Sequence, residues 1–286
     1  AAPMLGLPPL PSSLQAWHER LESVAAPCLL FSTRDAEDPT LPGCRYGGHP
    51  LVPPGTPWPH SPGGPLVFVG QLDFAELAAC RGEALPHLPR DGVLALFYDA
   101  QEQRWGYNPK DSEYWKLLWT PHSAEAVPLA PPKELEDAGL AFDLPLRLEP
   151  RLGVCLPDPG DHRAPVPADA WGPEQADDYL VLRERLSGGE HAHQVEGHPW
   201  WIQNDARLEA QLVTHGIYCG GSRGYDSPEA RRLEPGASAW RLLWQIGSDD
   251  QTGFTWGDGG NLYLLIREQD LRACRFDRAW LGLQCR

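Results

Sequence analysis

Nowhere does this sequence hold an apolar run approaching the length needed to cross a bilayer as a helix, so no membrane-spanning segment is expected. Residues Ala1 to Pro11 lack a basic stretch followed by an apolar one, which argues against a secretory signal and for a cytoplasmic protein. There is no Cys-x-x-Cys pair. The seven cysteines (Cys28, Cys44, Cys80, Cys155, Cys219, Cys274 and Cys285) are odd in number and widely spaced. That spacing suggests neither a zinc site nor a disulfide framework, and fits scattered thiols in a reducing compartment. Positive charge is scarce: 24 Lys and Arg stand against 39 Asp and Glu, a net charge of −15. The deficit argues against direct binding to nucleic acid or an anionic membrane, since both need basic surface. It suits solubility or a basic partner.

What the sequence has in plenty is proline (31), glycine (29) and tryptophan (12). Short elements and many loops follow from the first two, and large aromatics serve both cores and binding surfaces. Apolar runs bounded by turn signals predict strands at 28–31, 66–72, 93–98, 115–119 and 280–284. A capping box at Ser12 to Gln15 opens a helix with Leu14, Trp17 and Leu21 on one face. Asp73 caps a short helix, and Glu174 to Leu186 reads as a longer one stopped by Gly188-Gly189. Asn204 is expected to cap another, from Asp205 to His215.

The most informative stretch joins two apolar runs, 242–246 and 262–266, through an acidic loop and a glycine turn. The loop holds Asp249, Asp250 and Asp258 with Trp256 among them, a composition that fits either braced turns or a recognition surface. An acidic helix carrying Glu174, Asp177 and Asp178 offers a second candidate contact face. Catalytic readings are weak. His191, His193 and His198 supply no metal-ligand spacing, and no metal site or cofactor is expected. Gly220-Gly221-Ser222-Arg223-Gly224 matches a nucleophile elbow in letters, but a turn rather than a helix follows it. Cys219 beside His215 reads as a buried thiol near a helix end. The Gly257-Asp258-Gly259-Gly260 run lacks the lysine of a phosphate loop. No catalytic residue is nominated, and the chain is not expected to be an enzyme.

Two halves echo each other in order. Gly48-His49-Pro50 answers Gly197-His198-Pro199, and Val69-Gly70-Gln71-Leu72 answers Leu243-Trp244-Gln245-Ile246. Asp91-Gly92 with its strand answers Asp258-Gly259 with its own. Repetition in the same order favours duplication, with sheets of similar halves packed together. The segments are an N-terminal helix and strand (1–38), a first half (39–127), a proline-rich acidic connection (128–169) and a second half (170–286).

From about Pro39 onward the chain resembles the YwqG-like family, a bacterial domain family of unknown function. The resemblance rests on Gly48-His49-Pro50 through Trp58-Pro59, on 65–73, on His193 to Pro199 with 202–205, and above all on 243–250 with 256–263. It implies an α+β fold of mixed, mainly antiparallel twisted sheets from two duplicated halves, with peripheral helices. Some members look like immunity proteins encoded beside toxins of bacterial competition, including nuclease effectors of type VI secretion. The resemblance, together with the net charge, implies a partner, a cognate toxin with a basic nuclease domain; the acidic and aromatic composition nominates Asp249, Asp250, Trp256, Asp258, Glu174, Asp177 and Asp178 as its contacts. The alternative is a small-ligand or enzyme site in a cleft between the halves.

Overall fold

A computed structural model describes residues 6–141 and 144–286; Met4 and its neighbours at the N-terminus lie outside the described residues. Ten strands build the main sheet: β1 (Ala26–Asp35), β2 (Arg45–Tyr46), β3 (Val67–Asp73), β4 (Val93–Tyr98), β5 (Trp115–Thr120), β6 (Leu146–Cys155), β7 (Gln194–Val195), β8 (Trp240–Gly247), β9 (Asn261–Arg267) and β10 (Trp280–Gln284). The main helices are α1 (His18–Val24), α2 (Phe74–Arg81), α3 (Pro173–Ser187) and α4 (Arg207–Val213). All pairings are antiparallel, and the fold is α+β.

The strand order β10-β9-β8-β7-β1-β6-β2-β3-β4-β5 reads as a palindrome about the β1/β6 pair, and this is the duplication made visible. Its centre is crossed. β1 precedes the first half in sequence yet pairs with β7 of the second, while β6 precedes the second half and pairs with β2 of the first. Each half thus lends its leading strand to the other, and β1 and β6 run together from Ala26↔Cys155 to Asp35↔Leu146. The stretch 128–169, read from sequence as a connection, supplies this central strand.

Equivalent residues make equivalent bonds. Gln71 Oε1 accepts from Leu51 N (3.0 Å) while its Nε2 donates to Gly43 O (3.0 Å). Gln245 Oε1 accepts from Trp200 N (2.9 Å) while its Nε2 donates to Ala192 O (3.1 Å). Both amides are fully buried, where an unbonded polar group would be costly, so each staples the His-Pro turn of its half to the sheet. The ladder shifts register at the same place in each half, between Phe68 and Gly70 and between Leu242 and Trp244.

The sheet curls until its two ends meet. Trp115 of β5 and Trp280 of β10 lie edge to face at 6.0 Å, and the loop after β4 bonds to the β10 edge through Leu283 N to Trp105 O (2.9 Å). Inside, Trp244 stacks on Tyr46 with ring centroids 5.9 Å apart. Gly70 is what admits this contact, because a Cβ there would stand 2.6 Å from the Tyr46 ring and 3.3 Å from the Trp244 ring. One core cluster accordingly contains residues of both halves, including Leu72, Leu96, Leu243 and Leu264.

Two local expectations differ from the structure. Residues Ser12–Trp17 form a 3-10 turn without a side-chain cap, because the cap position falls on Pro11, which has no side-chain acceptor; Ser13 Oγ donates to Asp178 on α3. Asn204 does not cap α4; Asp205 does the local work, its carboxylate accepting from Arg207 N at 2.9 Å.

Candidate functional site

β8 and β9 are joined by 248–260, and this loop is built rather than loose. Ser248 Oγ donates to Gly260 O (2.7 Å) and accepts from Trp256 N (2.9 Å). Asp249 caps the tight turn that follows, accepting from Gln251 N at 2.8 Å, and its backbone bridges to Phe254. Two threads tie the loop to distant chain: Thr33 Oγ1 on β1 donates to Gln251 Oε1 (2.6 Å), and Gln103 Oε1 accepts from Gly257 N (2.7 Å).

Below the loop runs a buried polar relay. Tyr46 Oη lies 2.8 Å from His193 Nδ1, and His193 Nε2 lies 3.1 Å from Asp249 Oδ2. Burial pushes the Tyr46 phenol well above its ordinary value, so it stays protonated. The hydrogen bond from His193 is the main cause that lowers the Asp249 carboxyl, outweighing its partial burial. A carboxylate only accepts, so Nε2 carries a hydrogen, and in the neutral ring Nδ1 accepts from the Tyr46 hydroxyl. The relay joins β2 of the first half to β7 and the 248–260 loop of the second.

A cleft of about 460 Å³ opens beside it. Its floor is Tyr46 and Phe254, set edge to face at 5.1 Å. Pro145, Leu146 and Leu144 line one wall, and Leu144 is 70% exposed. Asp35 and Glu37, at the end of β1, form the acidic side, with Gln251 and Thr252 opposite. Among the described residues no basic side chain lines the cleft, and neither Asp35 nor Glu37 has an ion-pair partner.

The nominated contact residues fall into two separate neighbourhoods. Asp250 and Asp258 are exposed on the loop, while Asp249 is half-buried against His193. Trp256 is 2% exposed, packed on Phe254 and Tyr98, and a partner could touch it only if the loop opened. Glu174 and Asp177 are exposed on α3, and Asp178 is taken by Ser13. α3 packs chiefly on β6 and the N-terminal turn, away from the anchors of the 248–260 loop. Asp35, Glu37 and Tyr46 were not singled out from sequence. They reach the loop only because β1 and β2 are delivered to it by the crossed strands, and no local pattern marks them.

The histidines serve three different partners: Asn261 Oδ1 for His191 (2.9 Å), the relay for His193, and Val24 O for His198 (2.7 Å). Ser222 opens a four-residue helix after an extended glycine, and Cys219 Sγ and His215 Nδ1 are turned to separate carbonyls, those of Ile217 and Gln211.

The negative charge is a surface property. Among the described residues four buried arginines (Arg45, Arg81, Arg183 and Arg207) stand against five buried carboxyls (Asp73, Asp111, Asp161, Glu196 and Asp270), so the interior nearly cancels. No helix among the described residues is long and apolar enough to cross a membrane. No curated protein matches the chain. A family model does match, over residues 44–285, from the strand that carries Tyr46 to the end of β10. The chain belongs to that family, the domain of unknown function DUF1963.

Proposed function

We propose that this chain is an immunity protein that works by binding rather than by catalysis. Its partner is a cognate toxin, a type VI secretion effector with a basic nuclease domain, whose phosphate-binding active site it covers. The observation that carries the reading is the cleft between the halves: an aromatic floor with carboxylates on its rim and, among the described residues, no cation of its own. A ring face and a carboxylate together bind a guanidinium or ammonium group well once water is displaced. A nuclease presents such groups around its active site because it must hold phosphates.

Surface charge adds to this. With the surplus negative charge on the outside, long-range attraction speeds encounter with a basic surface, an effect that fades with salt. The rim residues Asp35 and Glu37 are the contacts of choice, with Asp250 exposed on the adjoining loop and Glu174 and Asp177 on α3 as a second acidic face. Trp256 supports the cleft floor from below.

The test is co-expression of this chain with the toxin encoded beside it. Restored growth and a co-purifying complex whose affinity falls with salt are expected. Continued toxicity with no complex would overturn the proposal.

A further inference from the structure

A second cavity, of about 260 Å³, lies at the seam where the loop after β4 meets β10, lined by Trp105 and Tyr107 from the first half and by Gln203, Asn204, Glu209, Leu283 and Gln284 from the second. Within it Glu209 of α4 accepts a hydrogen bond from Tyr225 Oη at 3.2 Å and has no ion-pair partner among the described residues. Among them the buried Asp73 and Asp111 also lack an arginine, but each accepts from two backbone N–H groups. The buried carboxyls of Asp161, Glu196 and Asp270 are each met by an arginine: Arg207 at 2.8 Å, Arg241 at 2.6 Å, and Arg267 and Arg278 at 3.6 and 3.3 Å. Two of these sites also place the guanidinium over an indole. Arg207 lies 5.8 Å from the Trp201 ring centre, and Arg267 lies 4.4 Å from that of Trp240. The cavity at Glu209 repeats the carboxyl and the indole, here Trp105, which is 37% exposed, but holds no guanidinium.

We propose that this cavity is a site for a small organic cation, a guanidinium or alkylammonium group, held by the Glu209 carboxylate against the rings of Trp105 and Tyr107. Two of the three amides on its wall, those of Gln284 and Gln203, are engaged. Gln284 Oε1 accepts from Ile202 N and Gln203 N, both at 3.1 Å, and Gln203 Nε2 donates to Cys285 O at 2.7 Å. The Asn204 amide stays open beside them, and the charged group without an ion-pair partner among the described residues is the Glu209 carboxylate, whose complement is a cation. The volume is below the roughly 300–1,000 Å³ of sites for drug-sized ligands and suits a small cation or the tip of a side chain. The cation can come free in solution or as an arginine or lysine of a partner.

Geometry sets a pH dependence. Burial pushes the Glu209 carboxyl up to about 7; Tyr225 opposes the rise by hydrogen bonding and Asp111 adds to it by repulsion. Cys219 faces the same group, and burial pushes its thiol up to about 11. Near neutrality the titrating group is then Glu209, since the Tyr225 phenol is also raised by burial. A bound cation favours the ionised carboxylate, so affinity falls by about tenfold per pH unit below the carboxyl's value.

The experiment is a titration of the isolated protein with methylguanidinium, butylammonium and the peptide Gly-Arg-Gly, followed by NMR at the Trp105 indole N–H, at pH 8 and pH 6. This needs no toxin, so its outcome is independent of the immunity reading. Saturable binding is expected at pH 8, weakened at pH 6. Glu209→Gln should weaken it by at least about tenfold and remove the pH dependence. Trp105→Ala, which leaves the carboxylate in place, should weaken it too, and decides the matter if Glu209→Gln does not fold. Binding of the peptide alone would assign the cation to a partner's side chain. Saturation by none of the three, or binding that is unchanged in both variants, would overturn the proposal.

Discussion

The two halves share a frame and differ in what hangs from it. In each, a buried glutamine staples a His-Pro turn, and a long polar side chain on the neighbouring short strand closes the same ring of carbonyls. Arg45 donates to Gly47 O and His49 O, and Gln194 donates to Glu196 O (2.8 Å) and His198 O (2.9 Å). Beyond the frame they part. β3 runs straight into α2, capped by Asp73, whose carboxylate accepts from Ala75 N at 3.0 Å. Glu76 of that helix turns inward to Arg147, so the connection closes on itself. β8 instead runs into the 248–260 loop, which presents Asp250 and Asp258 to solvent and hangs over the cleft. What is duplicated holds the fold; what is not duplicated carries the surface chemistry.

The sharpest asymmetry inside the frame lies at one backbone position with a left-handed conformation. The first half puts Gly47 there (φ +64°) and the second puts Glu196 (φ +62°). Glu196 is 1% exposed and depends on Arg241, whose Nη2 lies 2.6 Å away. Removing one partner of a buried pair leaves an uncompensated charge, so Arg241→Ala should cost about 3–5 kcal/mol. Glu196→Gly with Arg241→Ala should recover much of it, because glycine suits the backbone there and takes the charge away. Burial raises the Glu196 carboxyl above its ordinary value, despite Arg241. Its contribution to stability is thus fully present below the unfolded value and lost as pH rises through the folded one. The deficit of Arg241→Ala should therefore shrink in acid. Urea unfolding of the three proteins at two pH values checks this, and a deficit that grows in acid would contradict it.

Next in size is a test of the likeness itself. Gln71→Ala and Gln245→Ala each orphan one buried N–H and one carbonyl, at about 1–3 kcal/mol per orphaned site. If the frames are equivalent, the two losses should agree to within about 0.5 kcal/mol, with the double variant close to their sum. A large inequality, read from denaturant midpoints, would mean that one staple is incidental.

The unshared part can be tested by charge. Reversing the cleft side with Asp35→Lys and Glu37→Lys should weaken binding to a basic nuclease domain by about tenfold, or about 1.4 kcal/mol, chiefly through slower association at low salt. Glu174→Lys with Asp177→Lys, on α3, should do less. If the helix pair has the larger effect in association kinetics, the interface lies on the other acidic face and the cleft reading fails.

Most strands were legible, including the two that carry Gln71 and Gln245, because turn signals and apolar runs bracket them. β6 was not. It lies in a proline-rich stretch and contains Pro150, which ordinarily argues against a central strand. The structure shows why proline is tolerated. Opposite Pro150, Phe31 turns its N–H to His193 O (3.1 Å) on the far side, so β1 asks nothing of Pro150 N, and β2 on the other flank pairs only with Leu146 and Arg147. The cleft was illegible for a different reason. Asp249 was readable as a loop acid, but Tyr46 and His193, which complete its relay, stand 147 residues apart in sequence. They come together only through a strand exchange that leaves no local mark.

The smallest expected effect lies in that relay, where the shared frame meets the unshared loop. Asp249→Asn keeps the size of the side chain and its hydrogen bond to Gln251 N, but weakens the charge-assisted bond from His193, so the loss should be about 0.5–1.5 kcal/mol. The Asp249 carboxyl is held below its ordinary value, so its contribution is present above about pH 4 and lost as pH falls through the folded value. The variant should therefore lie below the parent at pH 7 and converge on it in acid. Tyr46→Phe removes the other end of the relay without touching that carboxylate, and should shift the whole stability curve rather than its acid limb. If instead Asp249→Asn leaves stability unchanged at every pH while slowing association with the toxin, Asp249 faces the partner rather than the frame, and the boundary between holding and binding runs through the relay itself.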